Sequence, residues 1–425
     1  MTKFLSVISC LLLTVQSFAH PMPNSVLAFS VNDKNIVCNL QLPLKELQFA
    51  VGFDVTNNTE NLFKNHYKTI ETYIQNHFYI QGESEKKWQM TVAEMQLETT
   101  SESDMEMHQK IICKIIFKPD PKDNSRQFAI FYDGIMHQLV THKAIVSIKQ
   151  DWQNGIVGHQ NSEIGLIAVD LSTNTVKPFV VNLRSGSNWT GFQAMFWLGI
   201  DHIAEGIDHL MFLLLLLLPA PLLVVSHKWS IAQGWKNSFI KIIKIVTGFT
   251  IGHSVMLFLG TMQWFETPTL LVEILIAMSI LITAIHAIKP IFYKHEIWVA
   301  IGFGLIHGLA FSQTLVELEL TSTKMFLSLL GFNLGIEAMQ MFVVVMVMPW
   351  LVYLSQNKSY HFFRIAFAAF GMIASVGWIA ELLTDTSNFI SNFMSKIPSI
   401  AKWLVLILII FSLMQYIFIK TRKNI

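Results

Sequence analysis

Beyond residue 194 the chain is a succession of apolar segments, each close to the length that crosses a lipid bilayer. Seven segments fit this description: 194–218, 240–262, 268–289, 297–317, 331–354, 363–383 and 401–419. About 20 apolar residues in a helix span the hydrocarbon core, and a helix satisfies its own backbone hydrogen bonds there. We therefore predict an α-helical polytopic membrane domain over residues 191–425, with about seven transmembrane helices.

The amino-acid composition supports the prediction of a membrane domain. Of the 425 residues, 52% are hydrophobic and only 14% are charged, which is not typical of a soluble globular protein. The formal net charge is +1, so the charge balance gives no indication of a nucleic-acid partner. The partners that we expect are the lipid bilayer and a small ligand, whereas oligomers and protein partners are not specified.

The first residues have the pattern of a signal peptide. Lys3 supplies a positive charge, an apolar run follows to Val15, and Ser17-Phe18-Ala19 resembles a cleavage site. The apolar run is too short to span a bilayer. We predict a signal peptide over residues 1–19, and His20 as the first residue of the mature protein.

Residues 20–190 are more polar and show short alternating runs that favour strands. The predicted strands are 26–31, 36–42, 88–97, 111–117, 128–132, 144–148 and 164–169, and 60–78 has helical spacing. This pattern predicts a β-rich, sandwich-like domain with one inserted helix. Cys38 and Cys113 belong to it, and a disulfide or two buried free thiols are both consistent with the sequence.

Charge between the apolar segments predicts an orientation. Lys and Arg favour alternate loops and the C-terminal tail, which the positive-inside rule places in the cytoplasm. Seven crossings and the signal peptide are consistent with the same arrangement. We expect a multi-pass protein of a bacterial inner or cytoplasmic membrane, with an extracytoplasmic N-terminal domain and a cytoplasmic C-terminus.

Ionisable side chains in the apolar segments are the candidate functional residues. A charge at the bilayer centre costs roughly 3 kcal/mol, so such residues face each other, water or a bound cation. The candidate metal ligands in the membrane half are Asp201, His202, Glu205, Asp208, His209, His253, Glu273, His307 and Glu337. His286 and Glu381 are more typical of residues that hydrogen-bond between packed helices.

The first apolar segment holds most of these candidates. At about 100° per residue in a continuous helix, Asp201, Glu205 and Asp208 fall on one stripe, with His202 and His209 beside it. The predicted helix would therefore present all five ligand-type side chains from one face.

The types of candidate ligand restrict which metal ions could bind. Imidazole and carboxylate without cysteine favour nickel, cobalt, zinc or manganese over copper(I). Transport of such an ion is one interpretation. A metal-dependent intramembrane hydrolase, in which zinc activates water, is a second, and a metal-sensing membrane scaffold is a third. A proton relay would use the same residue types.

Several of these segments resemble the helices of the HupE/UreJ family. Residues 199–209 resemble its first-helix signature, in which the nickel-permease motif is matched by His202, Asp208 and His209. Further similar stretches are 249–254, 272–273, 303–308 and 332–337. The resemblance implies a divalent-metal permease for nickel or cobalt, linked in known members to hydrogenase or urease, and it points to a longer branch with an exported domain.

His20 is a separate candidate. An N-terminal histidine offers an α-amine and an imidazole, which together chelate copper(II), and His137 and His142 lie close enough in sequence to one another to assist. We predict a second metal site there, with copper as its ion.

Overall fold

The computed structural model describes residues 24–52, 62–102, 106–158, 161–263, 268–316, 318 and 320–394. The predicted signal peptide, His20 and the seventh apolar segment, 401–419, lie outside these residues. The chain forms two compact units. Unit 1 comprises residues up to 149 together with 161–184, and unit 2 comprises 150–160 and the residues from 185 onward.

Unit 1 is built mainly of antiparallel strands. Its elements are β1 Ser25–Val31, β2 Ile36–Pro43, α1 Leu44–Val51, α2 Leu62–His77, β3 Phe78–Gln81, β4 Gln89–Glu102, β5 Glu106–Lys118, β6 Gln127–Tyr132, β7 Ala144–Gln150, β8 Ser162–Ile167, β9 Val169–Asp170, β10 Thr175–Val176 and β11 Phe179–Asn182. A six-stranded sheet has the order β4-β5-β2-β1-β7-β8, and a three-stranded sheet has the order β11-β6-β3.

Aromatic side chains join the two sheets. The ring of Phe29 on β1 lies 6.5 Å from that of Phe78 on β3 and 5.9 Å from that of Phe128 on β6. Phe117 on β5 meets Phe78 at 5.0 Å. All four are buried, because alternate residues of each strand point into the space between the sheets.

The seven predicted strands correspond to β1, β2 and β4–β8, and the predicted helix corresponds to α2. The short strands β3 and β9–β11 were not predicted, because runs of two to four residues carry too little periodicity. The eight-residue helix α1 was also not predicted. Cys38 and Cys113 are free, buried thiols on the paired strands β2 and β5. Burial raises the pKa of the Cys113 thiol to about 12 and that of Cys38 well above its usual value.

Unit 2 is mainly helical. Its helices are α3 Asn188–Glu205, α4 Ile207–Leu217, α5 Trp235–Thr261, α6 Thr269–Ile288, α7 Glu296–Val316, α8 Ser322–Ser355, α9 Ser359–Thr384 and α10 Phe389–Met394. A hairpin of β12 Leu222–Val225 and β13 Lys228–Ala232 follows α4. Trp229 of this hairpin donates its indole N–H to the carbonyl of His286 at 2.9 Å.

Four of these helices, α5, α6, α8 and α9, are long and apolar enough to cross a membrane, and α4 and the stretch Glu296–Ser312 of α7 are shorter apolar helices. Five predicted segments correspond to α5–α9, with ends that differ by a few residues. The prediction of one continuous helix over 194–218 is wrong, because Gly206 separates α3 from α4. The total of about seven crossings and their orientation stay predictions.

Glycine allows two pairs of helices in unit 2 to approach closely. A Cβ atom on Gly304 of α7 would collide with the carbonyl oxygen of Phe249 on α5, and one on Gly335 of α8 would collide with that of Phe196 on α3. Small residues at such crossings are typical of membrane helices, which associate by packing rather than by a hydrophobic driving force. The first crossing places the helices of His253 and His307 side by side, and the second packs the helix of His202 against α8.

Candidate metal centre

The break between α3 and α4 positions the first group of candidate ligands. Gly206 has an extended backbone (φ −72°, ψ 95°), and its N–H still donates to the carbonyl of His202 at 3.1 Å. The break changes the direction of the side chains that follow. As a result, His202 in the last turn of α3 and His209 in the first turn of α4 have their ring centroids 4.6 Å apart.

Histidines from two further helices complete a cluster. His307 of α7 lies 5.0 Å from His209, and His253 of α5 lies 6.3 Å from His202 and 6.4 Å from His209, all between ring centroids. Asp208 joins them. Asp208, His209 and His307 each offer one ligand atom, and these atoms lie within 4.8 Å of one another. We call these five residues, Asp208 and the four histidines, the membrane cluster.

Hydrogen bonds fix how two of these rings are protonated. His209 Nδ1 lies 2.9 Å from Asp208 Oδ1, and an ionised carboxylate only accepts, so Nδ1 carries the proton. The Ser279 hydroxyl donates to the carbonyl of Ile276 at 2.7 Å and therefore accepts from His307 Nε2 at 3.1 Å. The lone pairs of these two histidines are consequently on His209 Nε2 and His307 Nδ1.

Those lone pairs have no partner among the residues that the structure describes. Five buried ring nitrogens of the cluster lack a hydrogen bond to any described residue: His202 Nε2, His209 Nε2, His253 Nδ1, His253 Nε2 and His307 Nδ1. Each unsatisfied buried polar atom costs about 1–3 kcal/mol. Imidazole nitrogens that are orphaned together, beside a carboxylate, fit a cation-binding site, because a cation accepts several lone pairs at once.

Aromatic side chains form the wall of the cluster. Phe311 and Phe332 stack on each other with ring centroids 4.2 Å apart, and both rings contact His202. Phe249 lies 5.2 Å from His307. These rings exclude water and lower the local dielectric, which strengthens the attraction between Asp208 and a cation.

Asp208 also benefits from its place on the backbone. It lies in the first turn of α4, where unpaired N–H groups give the helix end a partial positive charge. A partial charge of this sign attracts a carboxylate.

Glu337 lies apart from the membrane cluster, in a groove of about 270 Å³ between α5 and α8. Its carboxylate accepts from the hydroxyl of Thr247 at 3.2 Å. Ser254 and Asn333 line the same groove, and each is the chain neighbour of a residue at the cluster, His253 or Phe332. The groove and the cluster therefore lie on adjacent sides of the same two helices.

The remaining candidates occupy other places. Asp201 and Glu205 are exposed on α3, because the interruption at Gly206 separates their stripe from that of Asp208. Glu273 is exposed near the start of α6. The structure does not bring these three residues into the membrane cluster.

Sequence reasoning also left out one residue of this region. Ser279 orients His307, yet a lone serine in an apolar segment carries no signal of such a role.

Comparison with known proteins bears on the same part of the chain. The model of a family described as HupE / UreJ protein matches residues 180–382. This part of the chain belongs to the HupE/UreJ family. The resemblance seen in the sequence is thereby confirmed, and the HupE/UreJ match includes every residue of the membrane cluster. No curated protein and no solved structure matches the chain.

Membership in the HupE/UreJ family indicates a membrane protein of the nickel/cobalt-type metal-transport class. Most of unit 1 precedes the matched range, so the family assignment says nothing of its β-sheets.

Proposed function

We propose that unit 2 is a permease for a divalent transition-metal ion of the nickel or cobalt type, and that the membrane cluster binds this ion during transport. The observation that carries the proposal is the set of five buried imidazole nitrogens near Asp208 that have no hydrogen-bond partner in the described part of the chain. Nitrogen and oxygen donors of this kind suit borderline divalent ions.

The interrupted helix supports a transport role. Discontinuous membrane helices are typical of transporter substrate sites, where irregular backbone is tolerated because it lines the site. Here the interruption at Gly206 lies between His202 and Asp208, so the ligands belong to two helix ends rather than to one rigid rod. A small change of angle at Gly206 would separate His202 from the rest of the cluster.

A second polar region supports a path for the ion through unit 2 rather than one isolated binding site. The groove that holds Glu337 also contains Thr247, Thr250 and Asn333, and the Asn333 side-chain oxygen is buried without a partner among the described residues. Oxygen donors suit a hydrated or partly hydrated cation. We propose that this groove is the second station of the ion, next to the histidines.

Uptake of nickel(II) or cobalt(II) into proteoliposomes tests the proposal. Asp208→Asn and His307→Gln should each lower the initial rate at limiting ion concentration by roughly tenfold or more, because one lost ligand contact is worth at least about 1.4 kcal/mol. Asp201→Asn is the matched control, since it neutralises an exposed carboxylate of α3 and should leave uptake unchanged.

Protein yield and the amount reconstituted must be equal across the three variants, so that a lower rate reports the site and not insertion. Wild-type uptake rates in both Asp208→Asn and His307→Gln protein would refute a transport role for the cluster.

One observation favours an enzymatic alternative. Asp208, His209 and His307 are three close ligands, which is also the number that a catalytic zinc site uses while it keeps one position open for water. A resident zinc would remain at about one ion per chain after dialysis, and the reconstituted protein would show no ion flux. A transported ion would exchange and would accumulate in the vesicles. Measuring both retention and flux on one preparation distinguishes the two functions.

A further inference from the structure

A short segment of the chain lies along α3 in unit 2. Residues 150–158, which include the last residue of β7 and the turn that follows it, belong to unit 2, and we call them the strap. A Cβ atom on Gly155 would lie 3.5 Å from that of Ala194, and one on Gly158 would lie 3.5 Å from Leu198 Cδ1. The strap therefore follows the first turns of α3 in the direction of the membrane cluster.

A closed turn directs Trp152 of the strap onto α3. The backbone N–H groups of Asp151 and Ile156 each donate to the carbonyl of the other residue at 2.9 Å. Gly155 closes the turn with φ 76°, a conformation that glycine adopts without strain. Trp152 is 2% exposed, and Gly191 of α3 makes room for it, since a Cβ atom there would collide with the indole ring.

Trp152 covers a continuous apolar region that reaches the membrane cluster. Its buried neighbours in this region, which we call the apolar plug, include Met195, Leu315, Leu329 and Phe332. Phe332 also contacts the ring of His202. Packed apolar side chains therefore extend from Trp152 to the first histidine of the cluster. A constriction of this kind excludes water and blocks an ion while it is closed.

The apolar plug lies at the end of unit 2 at which α3 and α8 begin. These two helices run parallel, because Gly331 packs against Phe192 and Gly335 packs against Phe196. Trp152 lies against the first turn of α3, whereas the membrane cluster starts in the last turn of that helix. An ion that enters from this end would meet the apolar plug before the cluster. The distribution of Lys and Arg predicts that this end is extracytoplasmic.

The contacts of Trp152 leave its polar atom unsatisfied. The side-chain amide of Gln150 donates to the carbonyl of Leu318 at 2.9 Å, and the N–H of Ser187 donates to the carbonyl of Gln153 at 2.8 Å. Trp152 Nε1, by contrast, is buried without a hydrogen-bond partner among the described residues. A buried tryptophan usually pairs this N–H, and leaving it unpaired offsets part of the gain from burying the ring. Trp152 therefore leaves the plug at a lower cost than a fully paired tryptophan would.

We propose that the strap is a gate of the permease. Trp152 closes the route to the membrane cluster from the end at which α3 and α8 begin, and the strap leaves α3 when an ion passes. The inference rests on the proposed transport function and deepens it by assigning one barrier on the path of the ion. It concerns access rather than binding, because no residue of the strap belongs to the membrane cluster.

A disulfide between the strap and α3 tests the gate. The Cβ positions of residues 155 and 194, 3.5 Å apart, are within the range that a disulfide spans. In proteoliposomes, oxidised Gly155→Cys/Ala194→Cys protein should take up nickel(II) at least tenfold more slowly than the same protein after reduction. Comparing two forms of one protein removes the effect of the substitutions, including the strain of a cysteine at φ 76°. The uptake of each single variant should not depend on oxidation.

A second measurement reports movement of the strap without requiring transport. Leu329→Cys, added to the two cysteines of the strap and α3, places a thiol in the apolar plug. A charged, water-soluble methanethiosulfonate should modify position 329 at least tenfold more slowly when the disulfide is closed, as measured by mass spectrometry of that peptide. Leu216→Cys is the matched control, because Leu216 is buried in a different apolar cluster of unit 2 and its modification should not depend on the disulfide.

The outcomes separate the gate from the proposed function. No uptake by wild-type protein would contradict transport, and the modification rate at position 329 would then decide on the gate alone. Uptake that is equal in the oxidised and reduced forms would overturn the gate, as would equal modification at position 329. Equal slowing at positions 216 and 329 would also overturn it, because the disulfide would then tighten unit 2 in general. If the two cysteines form no disulfide, the contact between the strap and α3 is refuted.

Discussion

Replacing His253 by leucine should stabilise the metal-free protein while removing a group of the membrane cluster. The His253 side chain is fully buried, and neither ring nitrogen has a hydrogen bond to any residue that the structure describes. Its neighbours are the rings of His202, His209, Phe249 and Phe332. A leucine of similar volume would place apolar atoms against that mainly aromatic wall.

The expected gain follows from the two orphaned nitrogens. At about 1–3 kcal/mol each, they cost the metal-free protein about 2–6 kcal/mol. Ordered water can satisfy part of this requirement in a polar cavity, so the lower half of the range is the expectation. A gain of about 2–3 kcal/mol would raise the unfolding midpoint of the protein by roughly 5 °C or more.

Thermal unfolding of full-length protein in detergent, in the presence of a chelator, measures this gain. His286→Leu is the matched control. His286 is also buried in unit 2, but its Nδ1 accepts from the N–H of Phe292 at 3.4 Å, and its ring stacks on Phe292 at 3.6 Å. Leucine there removes one orphaned nitrogen, Nε2, but also an acceptor and a stacking partner, so the unfolding midpoint should rise less than in His253→Leu.

The same experiment with nickel(II) reverses the order of the wild-type and His253→Leu proteins. A ligand at 1,000 times its dissociation constant stabilises the folded state by about 4.1 kcal/mol, which exceeds the gain expected from His253→Leu. Wild-type protein should gain this increment, and His253→Leu protein should gain much less. A lower midpoint for His253→Leu than for wild type in chelator would refute the reasoning, because the two nitrogens would then have been satisfied in the folded protein.

Two further predictions concern packing and pH. Gly304→Ala should lower the yield of folded protein, because its Cβ would collide with the Phe249 carbonyl and overpacking costs about 1–3 kcal/mol. Gly302→Ala is the control, since a Cβ there has nothing within 4 Å, and it should leave the yield unchanged. Burial lowers the pKa of His142 to about 4, so its contribution to the stability of unit 1 is present above pH 6.5 and is lost as pH falls toward 4. The free energy of opening measured by hydrogen exchange of β1, corrected for intrinsic rates, should fall by about 2 kcal/mol between pH 6.5 and 5. His142→Gln should remove this pH dependence.

Helices α5–α9 of unit 2 could be located from sequence because long apolar runs are an unambiguous signal. The interruption at Gly206 could not be predicted, because a glycine in a membrane helix also occurs where two continuous helices pack closely. The periodicity argument assumed a continuous helix, and it therefore grouped Asp201 and Glu205 with Asp208. In the structure these two carboxylates are exposed, while His202 and His209 remain neighbours across the break.

Residues that come together from distant helices were only partly predictable. The cost of burying histidine pointed to His253 and His307 individually, and the family resemblance supported them. Their distances, and the lone pairs that Asp208 and Ser279 leave unpaired, depend on how α5, α6 and α7 pack. The structure corrects part of the prediction made for His20. His142 is not available to assist, because it is buried and its Nε2 lies 2.8 Å from the hydroxyl of Ser25. His20 lies outside the described residues, and its role stays a prediction.

The charge of the membrane cluster connects its structure to the proposed transport. Asp208 is the single carboxylate among its five members, so a divalent cation bound there keeps a net positive charge beside aromatic walls of low dielectric. An ion that is only partly neutralised is held less tightly than one that faces two carboxylates. Transport requires binding that is strong enough for entry and weak enough for release. Glu337, in the adjacent groove, offers the second negative charge at a separate position, which would draw the ion onward rather than retain it. Glu337→Gln should therefore slow uptake while leaving equilibrium binding of nickel(II) at the cluster nearly unchanged.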